Sequence, residues 1–233
     1  MTYIGYEIDN GERNMQIDND LLNFAIDNQS KEPIFRLYGW SPSCISLGRN
    51  QSCEFLDNNF LKSKNIDIVR RLTGGRALLH DKELTYSYIC CVNSLKNGES
   101  VINSYKEISK FLIDGFDKLG IKLEFPQNKK IHTKFDYCMS ISTSADLCFE
   151  GKKLIGSAQF RKENYILQHG SILLDYDERL LEKLFNEKIY KNPDNETSLT
   201  CIKHINSKIE INDIKNALIS SFYDNSNTIL PLS

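Results

Sequence analysis

The run Leu84-Thr85-Tyr86-Ser87-Tyr88-Ile89-Cys90-Cys91-Val92 constrains the fold more than any other stretch. It is continuous, rich in β-branched and aromatic residues, and holds no glycine or proline, so it reads as a central strand. Cys90 and Cys91 then point to opposite faces of a sheet. A chain of 233 residues with 40% hydrophobic content can cover such a strand within one large domain, or one domain with a small appendage.

The elements around this strand follow from periodicity. Tyr3 to Ile8 reads as a short strand. Met15, Ile17, Leu21, Leu22, Ala25 and Ile26 recur at helical spacing, which places a helix over Asn14 to Asp27. Phe35 to Trp40 and Cys44 to Leu47 read as two strands joined by a turn at Ser41-Pro42-Ser43. A polar helix follows around Leu56 to Lys64, and Ile66 to Val69 is a strand leading into Arg70-Arg71-Leu72-Thr73-Gly74-Gly75-Arg76. Val101, Tyr105, Ile108, Leu112 and Phe116 define one helix ended by Gly120.

Ile121 to Phe125 is strand-like, and Pro126 to Ser144 is a long polar loop, the kind of segment that often carries function in a compact domain. Strands resume from Asp146 to Tyr176, with hairpin turns at Glu150-Gly151-Lys152 and Lys162-Glu163-Asn164. Helices at Glu178 to Phe185 and Asn212 to Phe222 complete the chain. The class expected is α+β: a mixed, largely antiparallel sheet with flanking helices. Residues 1–188 are expected to form the main domain and residues 189–233 a helical extension packed on it.

Charge and composition narrow the function. A formal net charge of −2 provides no basic field for nonspecific nucleic-acid binding. The N-terminal ten residues lack a basic start and an apolar run, and no stretch approaches the roughly 20 apolar residues that span a bilayer, so a cytoplasmic location is expected, without membrane association. Seven scattered cysteines read as thiols, mostly buried, rather than as a disulfide framework. The four histidines lack paired ligand spacing, so no metal and no cofactor are expected.

Four groups of residues suit chemistry. Gly74 and Gly75 let a backbone approach a ligand, while Arg70, Arg71 and Arg76 add positive charge beside them. That combination fits an acyl-phosphate or phosphopantetheine substrate, and it equally fits a tight turn with solvated arginines. His80, next to Asp81, has an acidic neighbour able to fix one tautomer. Cys138 lies in the polar stretch Lys134 to Ser140, whereas the other thiols lie in apolar or strand-like segments. A thiol becomes a useful nucleophile when a nearby cation favours its thiolate, and Lys153 is a candidate. Gly156, Ser157 and Ala158 leave room against a strand for a linear acyl chain, or for a crossing backbone.

In this order, Phe35 to Trp40, Arg70 to Asp81, Gly151 to Gln159 and Gln168-His169-Gly170-Ser171 resemble the biotin and lipoate protein ligase superfamily. The similarity is strongest to its octanoyl-carrier-protein:protein octanoyltransferase branch. The resemblance implies a fold like the biotin ligase catalytic domains, related to class II aminoacyl-tRNA synthetases. It also implies an acyl-bearing cysteine fifteen residues before the motif lysine, the interval between Cys138 and Lys153. His169 and Gly170 join the expected substrate contacts.

The expected donor is octanoyl-acyl carrier protein. The expected acceptor is a lysine of a lipoyl-domain protein, such as glycine cleavage H protein or 2-oxoacid dehydrogenase E2. Leu72 stands where proline is common, and Met139 to Ala145 lacks the proline and aromatics often found there. The alternatives are an ATP-dependent lipoate ligase, an amidotransferase moving octanoyl between lipoyl domains, and a non-catalytic acyl-binding protein.

Overall fold

A computed structural model describes residues 1–126, 145–185 and 198–226. The long run forms β6 (Glu83–Cys91), inside a six-stranded sheet ordered β1-β2-β6-β9-β8-β7. The other members are β1 (Thr2–Asp9), β2 (Ile34–Trp40), β7 (Leu147–Phe149), β8 (Lys152–Lys162) and β9 (Tyr165–Leu173). Only β1 and β2 pair in parallel; the remaining pairs are antiparallel. The hairpin turns sit where turn chemistry demands them. Glu150 (φ 49°) and Gly151 (φ 74°) join β7 to β8, and Glu163 (φ 53°) helps join β8 to β9.

The two strands around Ser41-Pro42-Ser43 do not pair with each other. β2 stays in the large sheet, and β3 (Cys44–Leu47) starts a second, three-stranded sheet ordered β4-β3-β5. In it β4 (Asp67–Arg70) runs parallel to β3, and β5 (Leu78–His80), which periodicity did not reveal, runs antiparallel. Two pairing edges compete for each short apolar strand, and local sequence carries no information about which one wins.

Helix α1 (Gly11–Asp27) is capped by the Asn10 side chain, which accepts from the Arg13 amide. Its buried face is Gly11, Asn14, Asp18, Leu22 and Ala25, rotated from the apolar stripe read from sequence, because two polar residues are sequestered with the apolar ones. Asp57 caps α2 (Asn58–Ser63). The helix expected from Val101 to Phe116 is two helices, α3 (Val101–Ile108) and α4 (Lys110–Asp117). The winding tightens at Ser109, whose carbonyl takes the Leu112 amide three residues on. The chain then turns at Gly120 (φ 75°), with the Ile121 amide returning to the Phe116 carbonyl. Ile121 to Phe125 forms only an isolated bridge, Glu124 to Cys148.

α5 (Glu178–Phe185), a single-turn α6 (Ile202–Ile205) and α7 (Ile211–Ser226) follow. The boundary expected at residue 188 lies outside the described residues. α7 packs on α4, where Gly115 lies so close that a Cβ would come within 2.8 Å of a Leu218 methyl. Phe35, Tyr88, Phe111 and Phe222 meet there in edge and stacked ring contacts between the large sheet and these helices. None of the described helices is long and apolar enough to cross a membrane.

Candidate active site

The opposite part of the large sheet, with the small sheet beside it, encloses a cavity of about 470 Å³, within the usual size for a small-molecule site. Its walls include Met15, Tyr38, Trp40, Leu78 and Ala158, with the glycine loop at one side and Asp146, Gly156, Ser157, His169 and Gly170 along the sheet. Gly170 has to be bare. A Cβ there would sit 2.6 Å from both the Gly156 carbonyl oxygen and Tyr86 Cε1.

The arginines of the glycine loop have different tasks. Arg70 is exposed and reaches away from the cavity, donating to the carbonyls of Gly48, Arg49 and Gln51. Arg71 is buried and holds the loop from within. Its guanidinium donates to the carbonyls of Ser46, Gly74 and Arg76, and to the Ser46 and Thr73 hydroxyls. Only a rigid fork of donors serves so many acceptors. Gly75 takes φ 98°, and the loop packs so tightly on β3 that a Cβ on Gly48 would overlap the Gly75 carbonyl oxygen at 1.9 Å. Arg76 lies on the cavity wall.

Arg71 also sets both cavity histidines through these hydroxyls. Glu83 can only accept, so His80 Nδ1 donates to it at 3.3 Å, and His80 Nε2 accepts from Ser46 at 2.8 Å. Burial lowers the His80 pKa against the pull of Glu83, so the ring is neutral. Its acidic partner is therefore Glu83 and not Asp81, which instead accepts from Ser43. Trp40 stacks on the ring at 3.9 Å. On the sheet, His169 Nδ1 lies 3.3 Å from Asp18, and its Nε2 lies 2.7 Å from Thr73 Oγ1. Burial pushes the Asp18 carboxyl up, but His169, Arg36 and the Tyr38 hydroxyl outweigh it and leave its pKa lowered.

Lys153 sits at the start of β8, fully buried. β9 has ended by this register, and the segment 198–200 takes its place. The Lys153 amide donates to Ser198, and the Lys153 carbonyl accepts from Thr200. Its ammonium lies 2.9 Å from Asp146, both side chains being at most 2% exposed. The other carboxylate oxygen of Asp146 receives the Ser157 amide at 3.4 Å. Cys138 lies outside the described residues. Among the other thiols, Cys44 and Cys90 are buried, with desolvation pushing each pKa up to about 12. Cys53 is exposed, so exposure does not set Cys138 apart from every other cysteine.

Reasoning from sequence missed three carboxylates, Asp18, Glu83 and Asp146. Asp18 carried a readable signal, since Asn14 and Asp18 continue the Gly11, Leu22 and Ala25 face at spacings of three and four. Glu83 and Asp146 had partners close in sequence, His80 and Thr85 for the one and Lys153 across the β7–β8 hairpin for the other, and spacing across those turns was the signal that could have found them. Among the described residues, no group of three His, Cys, Asp or Glu side chains is arranged to hold a metal.

The family model for the lipoyl protein ligase A/B catalytic domain matches residues 10–223. The octanoyltransferase LipM of Staphylococcus epidermidis is 36% identical over 232 residues, covering 94% of this chain and 82% of that protein. Its counterpart in Macrococcus caseolyticus is 40% identical over 198 residues, covering 82% and 70%. Among solved structures, lipoate-protein ligase A bound with ATP superposes with a TM-score of 0.73 at 19% identity, covering 97% of this chain and 85% of that one. The lipoate protein ligase Ta0514 of T. acidophilum with bound lipoic acid gives the same score and identity. The structural matches speak to the fold, and the sequence matches to the group: the chain belongs to the lipoyl protein ligase A/B catalytic domain family, among its octanoyltransferases.

Proposed function

We propose that this enzyme moves an octanoyl group from octanoyl-acyl carrier protein to a lysine of a lipoyl-domain protein, with Cys138 as the temporary acyl carrier. The observation that supports this most is the buried pair of Lys153 and Asp146 at the edge of a mostly apolar cavity. A cation beside an acyl pocket is what a thiol nucleophile needs. In the first step the Cys138 thiolate attacks the thioester carbonyl, the bond to the carrier sulfur breaks, and the carrier thiolate leaves with a proton from the Lys153 ammonium, which becomes a neutral amine. One thioester replaces another, so no ATP is consumed.

In the second step the neutral amine of the acceptor lysine attacks acyl-Cys138, forming an amide and releasing the cysteine thiolate. Both ring nitrogens of His80 are already engaged, so the proton lost by the attacking amine goes to Lys153, left neutral by the first step, which restores the ammonium beside Asp146. Gly156, Ser157, Ala158, His169 and Gly170 line the acyl chain's path, and Gly74, Gly75 and Arg76 border the carrier's arm. Such thiol chemistry belongs in the reducing cytoplasm.

The test is incubation with octanoyl carrier protein followed by mass spectrometry. A hydroxylamine-sensitive adduct on Cys138, absent in Cys138→Ser and independent of ATP, is expected. An adduct that persists undiminished in Cys138→Ser overturns the assignment of the nucleophile, and turnover only with free acid and ATP overturns the thioester route.

A further inference from the structure

We infer that the Ser157 hydroxyl is a fixed hydrogen-bond donor to the carbonyl oxygen of the acyl group, aimed by a one-way chain of side chains running from Arg161. This rests on the acyl-transfer reading above and adds a residue that contacts the reacting carbonyl.

The direction of the chain follows from what each group is able to give or take. A guanidinium only donates, so the 2.6 Å contact from Arg161 Nη2 makes Ser104 Oγ an acceptor. The Ser104 proton is shared between the Val101 carbonyl at 2.8 Å and Gln159 Oε1 at 3.1 Å. With its oxygen turned to Ser104, Gln159 presents Nε2 to Gln168 Oε1 at 2.8 Å. Gln168 in turn presents Nε2 to the Tyr86 hydroxyl at 2.8 Å. The phenol therefore accepts from one side and must donate on the other. Its own proton goes to Ser157 Oγ, 2.8 Å away. Burial holds the Tyr86 pKa well above the ordinary phenol value, so that proton is always present.

Ser157 Oγ has now accepted, and its own proton remains to be given. Ser157 lines the cavity beside Gly170, whose missing side chain leaves the way open. The position is also the right one. The Ser157 amide and the Lys153 ammonium bind opposite oxygens of the same Asp146 carboxylate, and Asp146 lines the same cavity as Ser157, so one carboxylate ties both residues to that cavity. A preorganised donor costs no reorientation when charge develops on the carbonyl oxygen. Tyr86 and Gln168 are positioning residues that act through Ser157.

The experiment reads the carbonyl itself. A carbon-13-labelled octanoyl thioester is bound to protein carrying Cys138→Ala, and the carbonyl stretch is recorded by infrared difference spectroscopy. Adding Ser157→Ala should move the band to higher frequency. Gln168→Glu should do the same, because a carboxylate only accepts, takes the phenol proton and turns the Ser157 hydroxyl back toward Tyr86. In protein with Cys138 intact, both changes should slow acylation on the order of 100-fold, with the thioester affinity unchanged, and Ser157→Thr should recover most of the rate.

A band and an acylation rate unchanged in Ser157→Ala overturn the donor assignment. A band unchanged in Gln168→Glu overturns the relay. The spectrum needs no reaction at Cys138, so failure of the wild-type protein to form an adduct would count against the thioester mechanism and not against Ser157.

Discussion

Replacing Lys153 by methionine keeps the length of the side chain and removes its charge, and the structure sets the size of the penalty. The ammonium lies 2.9 Å from Asp146, and both side chains are 1–2% exposed. At an effective dielectric constant of about 20, two unit charges at that distance attract by about 6 kcal/mol. Most of this offsets the cost of taking both charges out of water, so the intact pair adds little net stability. Removing one partner alone leaves Asp146 desolvated without its cation, which costs about 3–5 kcal/mol. That is a large part of the roughly 5–15 kcal/mol that holds a domain folded. Urea unfolding followed by circular dichroism at pH 7 measures it. The double change Lys153→Met with Asp146→Leu should recover most of the loss, because an apolar pair needs no counter-charge. A Lys153→Met protein within about 1 kcal/mol of wild type, or a double variant less stable than the single one, would refute the claim that this pair is sealed from water.

Three further outcomes are expected. Gly170→Ala should lower stability by about 1–3 kcal/mol through overpacking, because its Cβ meets the Gly156 carbonyl and the Tyr86 ring at 2.6 Å; an unchanged melting temperature would contradict the geometry. Arg71→Lys should release the glycine loop, since three ammonium donors cannot replace the guanidinium's bonds to Ser46, Thr73, Gly74 and Arg76. Faster amide hydrogen exchange over residues 72–77 reads this, and unaltered exchange would deny the loop-holding role. The His80 pKa is lowered from 6.5 in the folded protein, so the unfolded chain binds the extra proton first. Stability is then full above about pH 6.5 and falls on acidification through the folded pKa. Asp18, lowered from 3.8, adds a second loss below about pH 4; unfolding free energies in the two windows check both, and His80→Gln should flatten only the upper one.

What was legible in the sequence is what local physics determines. The long β-run is central because nothing in it breaks a strand, and the turns at Glu150-Gly151 and Glu163-Asn164 are where small or polar residues tolerate positive φ. The glycine loop and the small residues of β8 were each legible as places of close approach, because glycine marks them wherever it sits, and the structure puts both on one cavity. Illegible were the choices made between distant segments. Nothing near Ser41-Pro42-Ser43 says that β2 and β3 enter different sheets, and nothing near Lys153 says that the segment 198–200 runs beside it. The buried face of α1 was misread because Asp18 looks like a solvent residue until Arg36 and Tyr38 arrive from β2 and His169 from β9.

The Asp146 carboxylate changes how the lysine has to be understood. A lone ammonium would favour a neighbouring thiolate by its full charge, whereas Lys153 already shares its charge with Asp146. Together the two are close to neutral at a distance, so any effect on Cys138 must be short-ranged and directional, a hydrogen bond from the ammonium and not a diffuse field. The same economy holds across the cavity. Arg36 is matched by Asp18, and Arg71 spends its donors on carbonyls and hydroxyls of the loop it supports. A pocket walled by satisfied charges is quiet toward an apolar chain while keeping a few aimed donors for a single carbonyl. That is why removing one proton donor, as in Ser157→Ala, should affect the rate far more than the binding of the acyl group.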